Sequence, residues 1–168
     1  MKVKYPAEAF ALGLILFSGG MKEAFLSGIL VILSVVLAEF LKNMLENAVP
    51  LWSLRLSVCI GTGAVCASAF YLGFAAVGTE ISIQLWIMTF IIGLLAAKHV
   101  LMNRLEADYD GIFWESAFVW GLGILLAAAG EFLTGGRIFG YTLYQASFQA
   151  KRFGRYIFGF LAAGMALA

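Results

Sequence analysis

Two pairs of carboxylates stand at matched spacing in this chain. Glu23 and Glu39 bracket one apolar run, and Glu115 and Glu131 bracket another. Sixteen residues separate the members of each pair, about 24 Å along a helix. That is somewhat less than the ~30 Å hydrocarbon core of a bilayer, so each pair puts one carboxylate near either rim. Glu23 and Glu115 lie near helix N-termini, where the macrodipole favours negative charge. Glu39 and Glu131 lie near C-termini, where it does not. A carboxylate placed twice at the disfavoured end needs a partner or a role. It can be satisfied locally, as Glu39 by Lys42 at i+3. It can also line a polar path or touch another subunit, as carboxylates in membrane segments often do.

The other reactive groups say less. Lys98 and the single histidine, His99, close an apolar stretch. A lone His cannot build a metal site, and Lys98 can snorkel to an interface. Both join Glu39 and Glu131 as candidates for an ion path or a subunit contact. Cys59 and Cys66 share a helix face but lie about 10 Å apart along the axis. That is too far for a disulfide, so they read as small buried hydrophobes. The chain has no C-x-x-C, P-loop, H-E-x-x-H or nucleophile-elbow pattern. No catalytic residue and no metal ligand is expected.

The elements that must hold these groups are membrane helices. Of the 168 residues, 62% are hydrophobic and 12% charged, against about 25% charged in an ordinary soluble domain. The mean hydropathy of +0.95 agrees. A net charge of +1 argues against a nucleic-acid partner. Glu23–Leu41 (EAFLSGILVILSVVLAEFL) and Glu115–Leu133 (ESAFVWGLGILLAAAGEFL) align without gaps at an offset of 92. Six apolar segments surround this repeat: 7–18, 22–45, 53–77, 82–98, 114–134 and 153–168. The first is a retained short helix by this reading, since Pro6 and Glu8 interrupt a signal-peptide pattern and no A-x-A site follows. It and the fourth fall short of the ~20 residues that cross a bilayer. Short helices in matched positions point to a central site.

Three spans per half is an odd number, which turns the second half upside down relative to the first. The expected fold class is therefore an all-α membrane protein: six transmembrane or half-membrane helices in two inverted-topology three-helix repeats, about 1–78 and 79–168, forming one integral domain. Ser57/Gly61, Gly63/Ala67, Ala64/Ser68 and Gly159/Ala163 are small-xxx-small pairs, the sign of helix seams in lipid. Arg55 and Arg155 stand near the starts of the third and sixth segments, and these two are expected to pack together at the centre. With the N-terminus inside, Lys and Arg divide six to five between the two sides, which sets no orientation.

The fifth segment and its exit loop resemble the Rnf/Nqr family of six-span membrane subunits. That family has a G-x-G in this helix, then an Arg-Glu-hydrophobic pair, then a G-S-G-x-L-F-G-like turn. Gly121 and Gly123 match the first, Glu131-Phe132-Leu133 the second, and Gly135-Gly136-Arg137-Ile138-Phe139-Gly140 the third. The resemblance implies a multi-pass subunit of an ion-translocating NADH:quinone or ferredoxin:NAD oxidoreductase in a prokaryotic inner membrane. It implies other membrane subunits as partners, among them a paralogous six-helix subunit or a second copy. In the family, a Cys in the first short helix and an N-C pair in the fourth help bind iron. Here the first short helix has no Cys, Lys98-His99 falls about where the N-C pair would lie, and Gly130 replaces the usual Arg. No iron and no other cofactor is therefore expected. A stand-alone inverted-repeat carrier or channel is the alternative, and the repeat argues against a purely structural or holin-like protein.

Overall fold

The computed structural model describes residues 6–17, 19–102, 109–138, 141–143 and 151–167. Six helices follow the chain: α1 (Ala7–Phe17), α2 (Met21–Leu45), α3 (Leu51–Val77), α4 (Ile83–Met102), α5 (Tyr109–Gly135) and α6 (Lys151–Leu167). A two-residue hairpin, β1 (Arg137–Ile138) and β2 (Tyr141–Thr142), lies between α5 and α6. α2, α3, α4 and the Trp114–Leu133 part of α5 are each long and apolar enough to cross a membrane.

Local chemistry sets the ends. Pro50 precedes α3 with φ −62°, an angle its ring fixes. α3 stops at Gly78, whose φ of 77° is left-handed. Gly78 N–H donates to the Ala75 carbonyl and Thr79 N–H to the Phe74 carbonyl at 2.9 Å. This pair of hydrogen bonds is the Schellman closure, which glycine admits without a Cβ penalty.

The fourth segment differs from its expected length. It does not end at Lys98-His99 but runs on as a 20-residue helix through Met102. Thr89, Ile92, Gly93, Ala96, Ala97 and Val100 form one buried stripe along it. That stripe continues past the charges because Lys98 lies off it, exposed and paired with Glu8 on α1. The short apolar helices are instead α1 and the Ile157–Leu167 part of α6.

α2 is the hub, packing on α1, α3, α4 and α5. α3 packs on α4 and α2, while α6 packs on α1 and α5. The expected α3–α6 seam is absent among the described residues. Each of these helices has spent its small face elsewhere. Gly63 and Ala67 are buried, and a Cβ on Gly63 would come within 2.8 Å of the Phe90 ring on α4. Gly159 and Ala163 are buried on α6, which lies against α1. Ser57, Ala64 and Ser68 sit on the outer surface and Gly61 meets Leu41 of α2, so only part of the small-residue pattern marks the α3–α4 seam.

Two buried clusters fill the interior. The larger joins α1 to α2, α3, α4, α5 and α6 through residues such as Phe10, Leu14, Val31, Ile92, Val119 and Ala163. Within it the Phe17 ring lies 5.2 Å from Phe70 and 4.7 Å from Phe74, centroid to centroid. The smaller holds Ala38, Leu54, Val58, Ala97 and Val100 where α2, α3 and α4 meet.

Candidate functional site

Glu131 meets a helix end, though not its own. Its Oε2 accepts a hydrogen bond from Met21 N–H at 3.0 Å. Met21 opens α2, and the N-cap residue Gly20 offers no side-chain cap. α2 and α5 run antiparallel, with Glu131 beside Met21 and Trp120 beside Phe25 and Gly28. The half-buried carboxylate thus sits at the disfavoured end of α5 and the favoured end of α2. It satisfies one of the orphan donors every helix N-terminus presents.

The loop after Glu131 reinforces this end. Gly136 has φ 60°, donates its N–H to the Phe132 carbonyl at 2.9 Å, and accepts at its own carbonyl from Leu143 N–H at 2.8 Å. Arg137 pairs with Thr142 and Ile138 with Tyr141. Phe139 and Gly140 of the loop motif lie outside the described residues. Gly136→Ala forces a Cβ into the left-handed region at a cost of about 1 kcal/mol. Its melting temperature in detergent is expected to fall by a few degrees, and an unchanged value would contradict this turn.

The remaining candidates gather at the opposite end of α2. Glu39 lies 18 residues beyond Met21, about 27 Å along the axis. It is half-buried and adjoins Ala38 of the smaller cluster. Lys98 and His99 stand between Ala97 and Val100 of that same cluster. Glu39, Lys98 and His99 are thus next in sequence to one cluster, at the end of α2 away from Glu131. Lys98 Nζ donates to both oxygens of Glu8, at 2.9 and 2.8 Å.

Five hydroxyls are buried among the described residues: Ser27 and Ser34 on α2, Thr62 on α3, Thr89 on α4 and Ser116 on α5. Ser27 donates to the Ala24 carbonyl at 2.9 Å, Ser34 to Leu30 at 2.7 Å and Thr89 to Trp86 at 2.6 Å. Such back-bonding is the usual way a membrane helix absorbs a hydroxyl. Thr62 Oγ1 is buried with no partner among the described residues. The buried Cys66 thiol lies against Ser34 and the Gly93 backbone.

The glycines divide. Gly93 is wedged against Cys66, Gly63 and the Thr62 carbonyl, Gly123 against Leu14, and Gly28 against the Trp120 indole. A Cβ on Gly121 would meet nothing within 4 Å. Gly121 is half-buried, and the space beside its Cα is open.

Among the described residues no three His, Cys, Asp or Glu side chains come together as a metal site. Lys98, at the position expected for a family iron ligand, is a cation engaged with a carboxylate, which does not fit a metal. Glu8, Gly28 and Gly93 were not picked out from the sequence. Gly28 had a signal, since it stands opposite Trp120 in the repeat alignment, small against large. No family model, curated protein or solved structure matches the chain.

Proposed function

We propose that this chain is an integral membrane subunit of an ion-translocating electron-transport complex of the Rnf/Nqr type. It serves as a scaffold along the ion path and carries no redox group of its own. In this reading α1–α3 and α4–α6 are inverted repeats in the inner membrane of a prokaryote.

The observation that carries the reading is how helix contacts behave when the halves are exchanged. The exchange turns the α3–α4 contact into α6–α1, α2–α3 into α5–α6 and α2–α4 into α5–α1. All six of these contacts are present, though α5–α1 is much slighter than α2–α4, and the α1–α2 contact has no α4–α5 counterpart of comparable extent among the described residues. The α2–α5 and α1–α4 contacts are also present and map onto themselves. At the α2–α5 crossing, Gly28 touches Trp120, and these two residues are related by the offset of 92. Two equivalent residues in contact are what a twofold axis between antiparallel helices requires. Inverted repeats commonly hold ion sites at their shared interface. The Glu131–Gly136 segment, which carries the family-like motif, closes one end of that crossing.

Glu39 and Glu131 lie about 27 Å apart along α2, near opposite faces, and suit the two mouths of a cation path. Affinity purification from native membranes in mild detergent tests the assignment. Flavin- and iron–sulfur-bearing subunits are expected among the co-purifying proteins, together with a six-helix paralogue or a second copy. Recovery of the chain alone would overturn it. The Lys98–Glu8 pair, standing where metal ligands are expected, favours a second reading, a stand-alone inverted-repeat carrier or channel.

A further inference from the structure

Beside the turn between α3 and α4 lies a cavity of about 530 Å³, lined by Ser68, Tyr71 and Leu72 of α3 and by Ile81, Ile83 and Trp86. That is the size of a small-ligand site. Leu72 and Ile83 are exposed apolar side chains, so the cavity opens on a face of the bundle that meets lipid. Trp86 stands three residues into α4 from Ile83, and Tyr71 six residues back from Val77 at the end of α3. These are about 4.5 and 9 Å along their axes, near the level at which tryptophan and tyrosine sit at a headgroup boundary. The Ser68 hydroxyl is engaged with the Ala64 carbonyl at 3.0 Å, which leaves the Tyr71 hydroxyl and the Trp86 indole N–H as the polar groups open to a ligand. Glu80 lies in the same turn, next in sequence to Ile81. It is exposed, and no lysine or arginine pairs with it among the described residues.

We propose that this cavity holds one phospholipid with an ammonium headgroup, of the phosphatidylethanolamine class, with an acyl chain in the cavity and the ammonium at Glu80. The apolar walls accept a hydrocarbon chain. The two rings and the carboxylate select the headgroup. Aromatic faces attract a cation, and Glu80 supplies the opposite charge at the water-facing end. The phenol and indole donors suit the phosphate and ester oxygens of the same lipid, since each ring has one apolar end and one wet one. An anionic headgroup brings no cation to Glu80 and is repelled by it. The site is independent of the ion-path reading, because it needs only that α3 and α4 cross a bilayer.

The test is native mass spectrometry of the full chain released from nanodiscs of phosphatidylethanolamine and phosphatidylglycerol in equal amounts, with the same acyl chains. The wild type is expected to retain one lipid and to prefer phosphatidylethanolamine about fivefold, the scale of one solvent-reached ion pair. Glu80→Gln is expected to lose the preference, and Glu80→Asp to keep most of it. Ser68 is the deepest lining residue on α3, nine residues back from Val77, and it is exposed. Ser68→Trp therefore fills the cavity and is expected to release the lipid. Should that variant fail to fold, Leu72→Trp gives the same readout. Equal retention of the two lipids by the wild type would overturn the proposal. So would a preference unchanged in Glu80→Gln, or a lipid still held when the cavity is filled. A photoreactive side chain at Ile83 in native membranes distinguishes the other occupant, a helix of a partner subunit. Lipid adducts are expected there, and protein adducts in their place would overturn the lipid assignment.

Discussion

Gly93→Leu is expected to prevent the chain from folding in the membrane, and Gly93→Ala to cost about 1–3 kcal/mol, the scale of overpacking a filled interior. A Cβ on Gly93 would lie 2.7 Å from the Cys66 Cβ, 2.8 Å from the Gly63 Cα and 2.8 Å from the Thr62 carbonyl oxygen. Two of these three atoms are backbone, so no rotamer change relieves the contact and α3 and α4 must separate. Association of helices in lipid depends on close van der Waals approach, since burial from water contributes little there. Gly121→Ala is the control. It meets nothing within 4 Å, and alanine is the better helix former by about 1 kcal/mol. Size-exclusion profiles and thermal melts in detergent read both variants. A Gly93→Ala protein that melts with wild type would mean that α3 and α4 do not cross at Gly63.

These two glycines mark where the sequence was readable and where it was not. Length and uninterrupted hydropathy gave six segments, and the bounds of α2 and α3 fall within two residues of the expected ones. α4 was misjudged because a Lys-His pair looks like a helix end. The pair sits off the buried stripe, and that stripe continues to Val100, so the charges do not mark the end. The α3–α6 seam was misjudged for a related reason. Small-xxx-small pairs mark a face able to pack closely but do not name its neighbour. α3 spends that face on α4, and α6 lies against α1. Gly121 matches a family motif yet has open space where a Cβ would stand, whereas Gly93 belongs to no motif and leaves no room for one.

The carboxylates taught a further lesson about helix ends. Read along one helix, Glu131 sits at the wrong pole of a dipole. Read in the bundle, it caps the α2 N-terminus, because antiparallel neighbours bring one helix's C-terminus to the other's N-terminus. A charge that looks disfavoured in sequence can therefore be structural. The question for Glu131 becomes whether capping is all it does, and the same question applies to Glu39 at the far end of α2.

Glutamine separates the two roles. In Glu131→Gln the amide oxygen still accepts the Met21 N–H, and the charge–dipole term that is lost is about 0.3–1 kcal/mol. Glu131→Ala removes the cap altogether, at about 0.5–2 kcal/mol. A purely structural Glu131 thus predicts a small stability loss in Gln, a larger one in Ala, and ion-coupled turnover of the assembled complex unchanged in Gln. If Glu39 and Glu131 guard the two mouths of a cation path, each Gln variant is instead expected to lose ion-coupled turnover by about tenfold or more, equivalent to ~1.4 kcal/mol of barrier. Expression and assembly stay near wild type in that case. The neutral amide still offers an oxygen but no longer concentrates a cation from water at the membrane face. Turnover measured against Na⁺ concentration adds a second signature, since a lost mouth charge raises the half-saturating concentration. Wild-type turnover and assembly in Glu39→Gln, in Glu131→Gln and in the double variant would leave both residues as helix-end carboxylates with no part in ion movement.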